Sequence, residues 1–228
     1  MAKQPSPDPH KFDEALKAWR ARVPMKKGEF EDLEASEKEF AFTVANVAQM
    51  GPIVDTWRAI DSAIEKGTTL EDFKAEIGQT LAEAWGGENP AAVETIFRTN
   101  IIGAYGAGRH AIYSAPAVKE ARPFLRKDVI DDERTCDICA PLDGITLPQD
   151  DPFWLTHTSP MHFNDRCIET PVSREEADEA GGATEEIPDS EDATDGFGRP
   201  PASDGEDWKP NLGDYPAGIR DALADKLK

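Results

Sequence analysis

Apolar residues recur at helical spacing through the first half of the chain. Phe12, Leu16, Trp19 and Val23 make one stripe, which Pro24 ends. A second helix is predicted over Glu29 to Gln49, with Phe30, Leu33, Phe40 and Val44 facing inward. Gly51-Pro52 interrupts that pattern, and Ile53, Trp57, Ile60 and Ile64 open another stripe that stops at Gly67. Thr68 and Thr69 are N-cap candidates because Glu71 and Asp72 follow three residues later. Leu70, Phe73, Ile77, Leu81 and Trp85 then line a helix closed by Gly86-Gly87. Asn89-Pro90 opens the next, a cap followed by proline at the first helical position, with Val93, Ile96, Phe97, Asn100, Ile101 and Ala104 on its inner face.

The period changes after about residue 114. Phe124 to Ile130 reads as a strand and Ile145-Thr-Leu147 as a second, with Asp143-Gly144 as a turn signal between them. From 174 to 207 Glu, Asp, Gly, Pro and Ser dominate, which predicts a solvated, disordered acidic linker. Apolar anchors return as Trp208, Leu212, Tyr215, Ile219, Leu223 and Leu227, a docking segment whose last four lie at helical spacing. The expected architecture is therefore α+β, mainly α. Its parts are an N-terminal arm (1–28), a helical region (29–114), a Cys/His module with short strands (115–173), the acidic linker (174–207) and the docking segment (208–228).

Charge narrows the functional classes. The 228 residues carry 45 Asp and Glu against 25 Lys and Arg, a net charge of −20. Residues 174–228 hold 16 acids and 6 bases, so half of the excess lies in the last quarter. No global basic field exists for gripping phosphate, and strong direct nucleic-acid binding is not expected. No run of 18 apolar residues exists to span a membrane, and the N-terminus lacks the apolar core expected of a signal peptide. The three cysteines are an odd number and cluster late, which favours a reducing compartment over a secreted disulfide framework.

Those cysteines carry the strongest chemical signal. Cys136-Asp-Ile-Cys139 is followed, after 22 intervening residues, by His162-Phe-Asn-Asp-Arg-Cys167. A Cys-x2-Cys turn lets two thiolates face one ion while its backbone N–H groups support the sulfurs. A distant His-x4-Cys pair completes a tetrahedron of soft ligands suited to Zn²⁺. Four protein ligands, Cys136, Cys139, His162 and Cys167, would close the site, which makes it structural and stapling. Asp143, His157 and Asp165 are the possible substitutes for His162.

Two other features have simpler readings. Gly103-Ala-Tyr-Gly106-Ala-Gly108 has no preceding strand to make it a phosphate loop, so it reads as helix, with close helix–helix approach through Gly103, Ala104 and Ala107. Lys119, Arg122, Arg126 and Lys127 form the one local basic run, read as a solvated face, with contact to an acidic partner or DNA as the alternative.

Several motifs together resemble a known family. Glu94-Thr-Ile-Phe-Arg-Thr-Asn-Ile-Ile-Gly-Ala-Tyr-Gly-Ala-Gly-Arg109, Asp132-Glu-Arg-Thr-Cys136-Asp-Ile-Cys139 with Leu142-Asp-Gly144, Asp151-Pro-Phe-Trp154 and Pro160-Met-His-Phe-Asn-Asp-Arg-Cys167 are similar, in this order, to motifs of phage head morphogenesis proteins. That minor head protein family is typified by protein F of phage Mu. Ala41-Phe-Thr-Val44 and Gly67-Thr-Thr-Leu-Glu-Asp-Phe73 resemble its N-terminal helices, so the likeness runs from about residue 30 to 172. One departure stands out. The family's Cys-Arg-Cys is Asp165-Arg166-Cys167 here, so a four-cysteine site is impossible; either His162 or Asp165 supplies the fourth ligand, or the metal is lost.

The resemblance implies a non-enzymatic minor capsid protein at the portal vertex, acting in head assembly and DNA packaging or ejection. Its implied partners are the portal protein and other head proteins. The implied location is the virion head, with the host cytoplasm during assembly. The alternative is a zinc-dependent nuclease or another phage-borne metalloenzyme, for which His157, His162, Asn164 and Asp165 would supply the polar groups. That reading lacks the acidic-His pair that opens a ββα nuclease unit. A zinc-stapled regulator of host origin is the third possibility.

Overall fold

The computed structural model describes residues 12–33, 37–190 and 193–201. They fall into two compact units, one of Leu16–Phe97 and one of Asp13–Ala15 with Arg98–Pro201. Helices dominate and two small sheets accompany them, an α+β architecture. No helix among the described residues is long and apolar enough to cross a membrane. The N-terminal arm before Phe12 and the docking segment at 208–228 lie outside the described residues.

In the first unit the stripes become a core. Helix α1 (Asp13–Arg20) buries Leu16 and Trp19, and the Trp19 indole N–H donates to the Trp57 carbonyl at 3.2 Å. Strand β1 (Val23–Pro24) follows, an edge position that tolerates proline. The predicted helix over 29–49 is corrected. Helix α2 covers only Lys27–Glu31, and a 3₁₀ turn at Glu37–Phe40 leads into strand β2 (Ala41–Phe42).

The reason lies in long-range pairing. β1 and β2 are parallel, with Val23 opposite Ala41, and the Met25 N–H donates to the Phe42 carbonyl at 2.8 Å. Asn46, at φ 60°, is left-handed and cannot continue a helix. Helix α3 (Met50–Lys66) starts three residues earlier than Ile53 and takes Gly51-Pro52 into its first turn, where proline's missing N–H costs nothing. Helix α4 (Leu70–Trp85) is capped by Thr69, whose hydroxyl accepts from the Asp72 N–H. It buries Phe73, Ile77 and Leu81 as the pattern predicts.

Helix α5 (Pro90–Tyr113) begins where the Asn89 side chain accepts the Ala92 N–H at 3.1 Å, and it runs straight through the glycine run. A close approach falls at Gly108, not among the Gly103, Ala104 and Ala107 named from the sequence: a Cβ there would sit 2.6 Å from the Ala15 nitrogen. In the second unit α6 (Pro116–Ala121) leads to strand β3 (Phe124–Asp128), followed by β4 (Thr146–Pro148), α7 (Trp154–His157), β5 (Ile168–Val172) and α8 (Arg174–Glu179). β3 is the centre of an antiparallel sheet of order β4-β3-β5, with Leu125 opposite Leu147 and Pro171. Leu125, Leu142, Ile145, Leu147, Phe153, Trp154 and Met161 form its core with Tyr113.

The basic run is largely spent inside this unit. Arg122 donates to the Pro171 carbonyl and to the Glu176 carboxylate, and Arg126 pairs with Asp128. Lys127 is wholly buried on the Leu125 face, and its ammonium donates to Glu169 Oε1 (2.8 Å), Ser159 Oγ (2.7 Å) and the His157 carbonyl (2.9 Å). The acidic stretch also differs from the expected disordered linker over 174–201. Ser173 caps α8 through a reciprocal pair with Glu176. Thr184, Thr194 and Gly198 then donate backbone N–H groups to Thr146, Met161 and Pro160. These are backbone contacts, to which side-chain hydropathy is blind.

Candidate metal centre

The Cys136–Cys139 turn is built on backbone hydrogen bonds. The Cys139 and Ala140 N–H groups donate to the Cys136 carbonyl at 3.2 and 2.9 Å, and the Cys139 N–H also lies 3.4 Å from Cys136 Sγ. The second arm is the segment 161–167, folded around one side chain. Asp165 is 2% exposed, and its carboxylate accepts the Met161 N–H at 2.7 Å and the Cys167 N–H at 2.8 Å. Asn164 turns the segment at φ 60°, and its N–H donates to Thr99 Oγ1 at 3.2 Å.

The arms meet. Donor atoms of Cys136, Cys139 and His162 lie within 4.8 Å of one another, as do those of Cys139, Asp165 and Cys167, so Cys139 belongs to both groups. His162 Nε2 lies 3.0 Å from Cys136 Sγ and 3.2 Å from Cys139 Sγ. Its Nδ1 is 2.8 Å from the Phe163 carbonyl, which can only accept. Nδ1 therefore carries a proton donated to that carbonyl, which fixes the ring so that Nε2 faces the two sulfurs.

Two of the substitutes named from the sequence lie elsewhere. Asp143 accepts the Val129 N–H at 2.9 Å, and His157 stacks on Phe153 with its Nε2 3.3 Å from Ser190 Oγ. Asp165 does join the cluster. A residue pair not anticipated from sequence ties the arms: Arg166 donates to both Asp132 oxygens, at 2.6 and 2.7 Å. Thirty-odd residues separate the two, and no local spacing signals them.

Electrostatics in the cluster follow from crowding of acidic groups. The hydrogen bond from Cys167 pulls the Cys139 thiol down to about 6, against its burial, and that same bond, with burial and the Asp165 charge, pushes Cys167 up. Burial raises Cys136. Burial opposes a charged His162, but the Phe163 carbonyl, Cys139 and Asp165 together lift it above its ordinary value. Buried thiols beside a buried carboxylate that has no Lys or Arg ion pair among the described residues make a place for a cation.

The donors of Cys136, Cys139 and His162 fit Zn²⁺, and Cys167 shares a group with Cys139 but not with Cys136 or His162. Metal–ligand lengths of about 2.3 Å to sulfur and about 2.0–2.1 Å to nitrogen place tetrahedral S and N donors roughly 3.5 Å apart. The observed S···N separations of 3.0 and 3.2 Å need only small relaxation to reach that spacing.

Comparison with known proteins gives a family. The model of the family described as Phage Mu protein F like protein matches residues 56–170. Protein F of Escherichia phage Mu, whose name assigns it to capsid assembly, is 29% identical over 144 residues, covering 56% of this chain and 32% of that protein. The Mu-like prophage FluMu F protein of Haemophilus influenzae is 32% identical over 152 residues, covering 60% of this chain and 36% of that protein. The chain thus spans about a third of the length of the curated relatives it matches. No solved structure matches it significantly.

Proposed function

Since the chain belongs to the Phage Mu protein F like family, we propose that it is a head protein of a phage or prophage that acts in capsid assembly. The single observation that carries this reading is the family match across the segment holding both cysteine arms. In this reading the protein is a minor capsid component at the portal vertex, where it serves DNA packaging or ejection without catalysis. Its partners are the portal protein and other head proteins. It assembles in the host cytoplasm and stays in the virion head.

Within it, Cys136, Cys139, His162 and Cys167 hold a structural Zn²⁺ that staples the module at 115–173. Bound there, the ion supplies cross-linking and charge neutralisation. Soft donors, the burial of Cys139 and Cys167, and the His162 ring held by the Phe163 carbonyl support this assignment. The engagement of Arg122, Arg126 and Lys127 with groups of their own unit supports a protein-binding surface over a DNA-binding one.

The test is mass spectrometry of purified particles, joined to co-purification of the tagged full chain with the portal protein. Presence in the particle and capture of the portal are expected; absence from both would sink the proposal. Plasmid DNA incubated with the protein and Mg²⁺, Mn²⁺ or Zn²⁺ is expected to stay intact. Cutting that disappears in His162→Ala would install the nuclease reading instead.

A further inference from the structure

Two side chains compete for the fourth place beside the three cysteines, and the geometry separates their roles. We infer that Asp165 is a positioning residue and not a ligand: its carboxylate folds the segment 161–167 so that His162 and Cys167 present their donors to the same ion. The inference rests on the metal-centre reading above.

Each carboxylate oxygen accepts a backbone hydrogen bond. Oδ2 accepts the Met161 N–H at 2.7 Å and Oδ1 the Cys167 N–H at 2.8 Å, so one side chain joins the backbone just before His162 to the backbone of Cys167. The Asp165 N–H closes the same turn onto the His162 carbonyl at 3.3 Å, and Asn164 takes the left-handed conformation the reversal needs. Turning the carboxylate onto a metal would weaken two charge-assisted hydrogen bonds and strand their N–H groups in a buried place. Oδ1 lies 3.9 Å from Cys139 Sγ.

His162 has the opposite profile. Its Nδ1 is occupied by the Phe163 carbonyl, and its Nε2 lies 3.0 and 3.2 Å from the sulfurs of the other arm. Asp165 does for this centre what outer carboxylates do elsewhere, orienting donors without touching the metal.

Co²⁺ loading of the full chain tests the assignment, because its d–d and thiolate charge-transfer bands read the donor set directly. Wild type is expected to bind one equivalent with the spectrum of three thiolates and one imidazole. Asp165→Asn keeps an acceptor for Cys167 and loses the one for Met161. It is expected to keep the spectrum and stoichiometry while affinity falls roughly 10–100-fold. His162→Ala is expected to change the spectrum. An altered spectrum in Asp165→Asn, or an unaltered one in His162→Ala, overturns the inference.

Should Asp165→Asn fail to fold, His162→Ala and X-ray absorption of the Zn²⁺-loaded wild type decide it. Imidazole scattering is expected there, and a sulfur–oxygen shell without it overturns the assignment. Wild type that takes up no Co²⁺ or Zn²⁺ overturns the metal centre itself, an outcome recognised before any variant is made.

Discussion

Arg166 grips the carboxylate of Asp132 with two hydrogen bonds of 2.6 and 2.7 Å, joining the segment that leads to Cys136 with the one that ends in Cys167. The hydrogen bonds from Arg166 and from the Arg134 backbone hold the Asp132 carboxyl well below its ordinary range. A depressed carboxylate contributes stability that is present above its unfolded value, near 3.8, and is lost as pH falls through the lower folded value. Arg166→Ala is therefore expected to flatten the acid limb of the unfolding curve below about pH 4, and to weaken metal uptake by separating the arms. Acid titration followed by circular dichroism checks the first, and competitive chelation the second. An unchanged acid limb would remove the pair from the account.

Metal removal should resemble loss of a staple. Chelation or Cys136→Ser is expected to lower Tm and to expose the 136–167 segment to protease, since in the proposed reading the ion cross-links the two ends of that segment. Elemental analysis should find close to one equivalent of Zn²⁺ in wild type. Metal-free protein of equal stability would refute the staple.

Lys127 and Glu169 form an ion pair whose side chains are 0% and 4% exposed. Lys127→Met leaves Glu169 buried without its cation and is expected to cost about 3–5 kcal/mol. Lys127→Met combined with Glu169→Leu should cost less than the two single changes together, because no charge is then left alone. Denaturant unfolding of the three variants checks this, and strict additivity would count against the pair.

Two helical glycines should respond in opposite ways to alanine. At Gly78 nothing lies within 4 Å of an added Cβ, so Gly78→Ala is expected to stabilise by up to about 1 kcal/mol through helix propensity. At Gly108 the Cβ would meet backbone atoms of Glu14 and Ala15 at 2.6–3.0 Å. Gly108→Ala is expected to destabilise by about 1–3 kcal/mol despite the same propensity gain. Thermal melts of both variants separate the effects.

The chain's own pattern determined what is local. Apolar stripes, the Thr69 and Asn89 caps and the terminating Gly67 and Gly86 place α3, α4 and α5 to within a few residues, because each signal acts within one or two helical turns. The Cys-x2-Cys turn and the motif order were legible for the same reason. The charge of −20 was a poor guide to local structure, since the acidic stretch after 173 still forms α8 and backbone contacts.

Tertiary structure decided the rest. β2 exists because β1 offers it hydrogen bonds from 18 residues away, and β5, with Pro171 in it, was hidden among polar positions until β3 paired with it. Lys127 sits in the interior because Glu169 and Ser159 arrive from distant segments to satisfy it. The sequence put His162 first, with Asp165, Asp143 and His157 as substitutes, on spacing alone. Ranking requires knowing which donors converge and which are already hydrogen-bonded, and folding settles both by bringing remote backbone groups together.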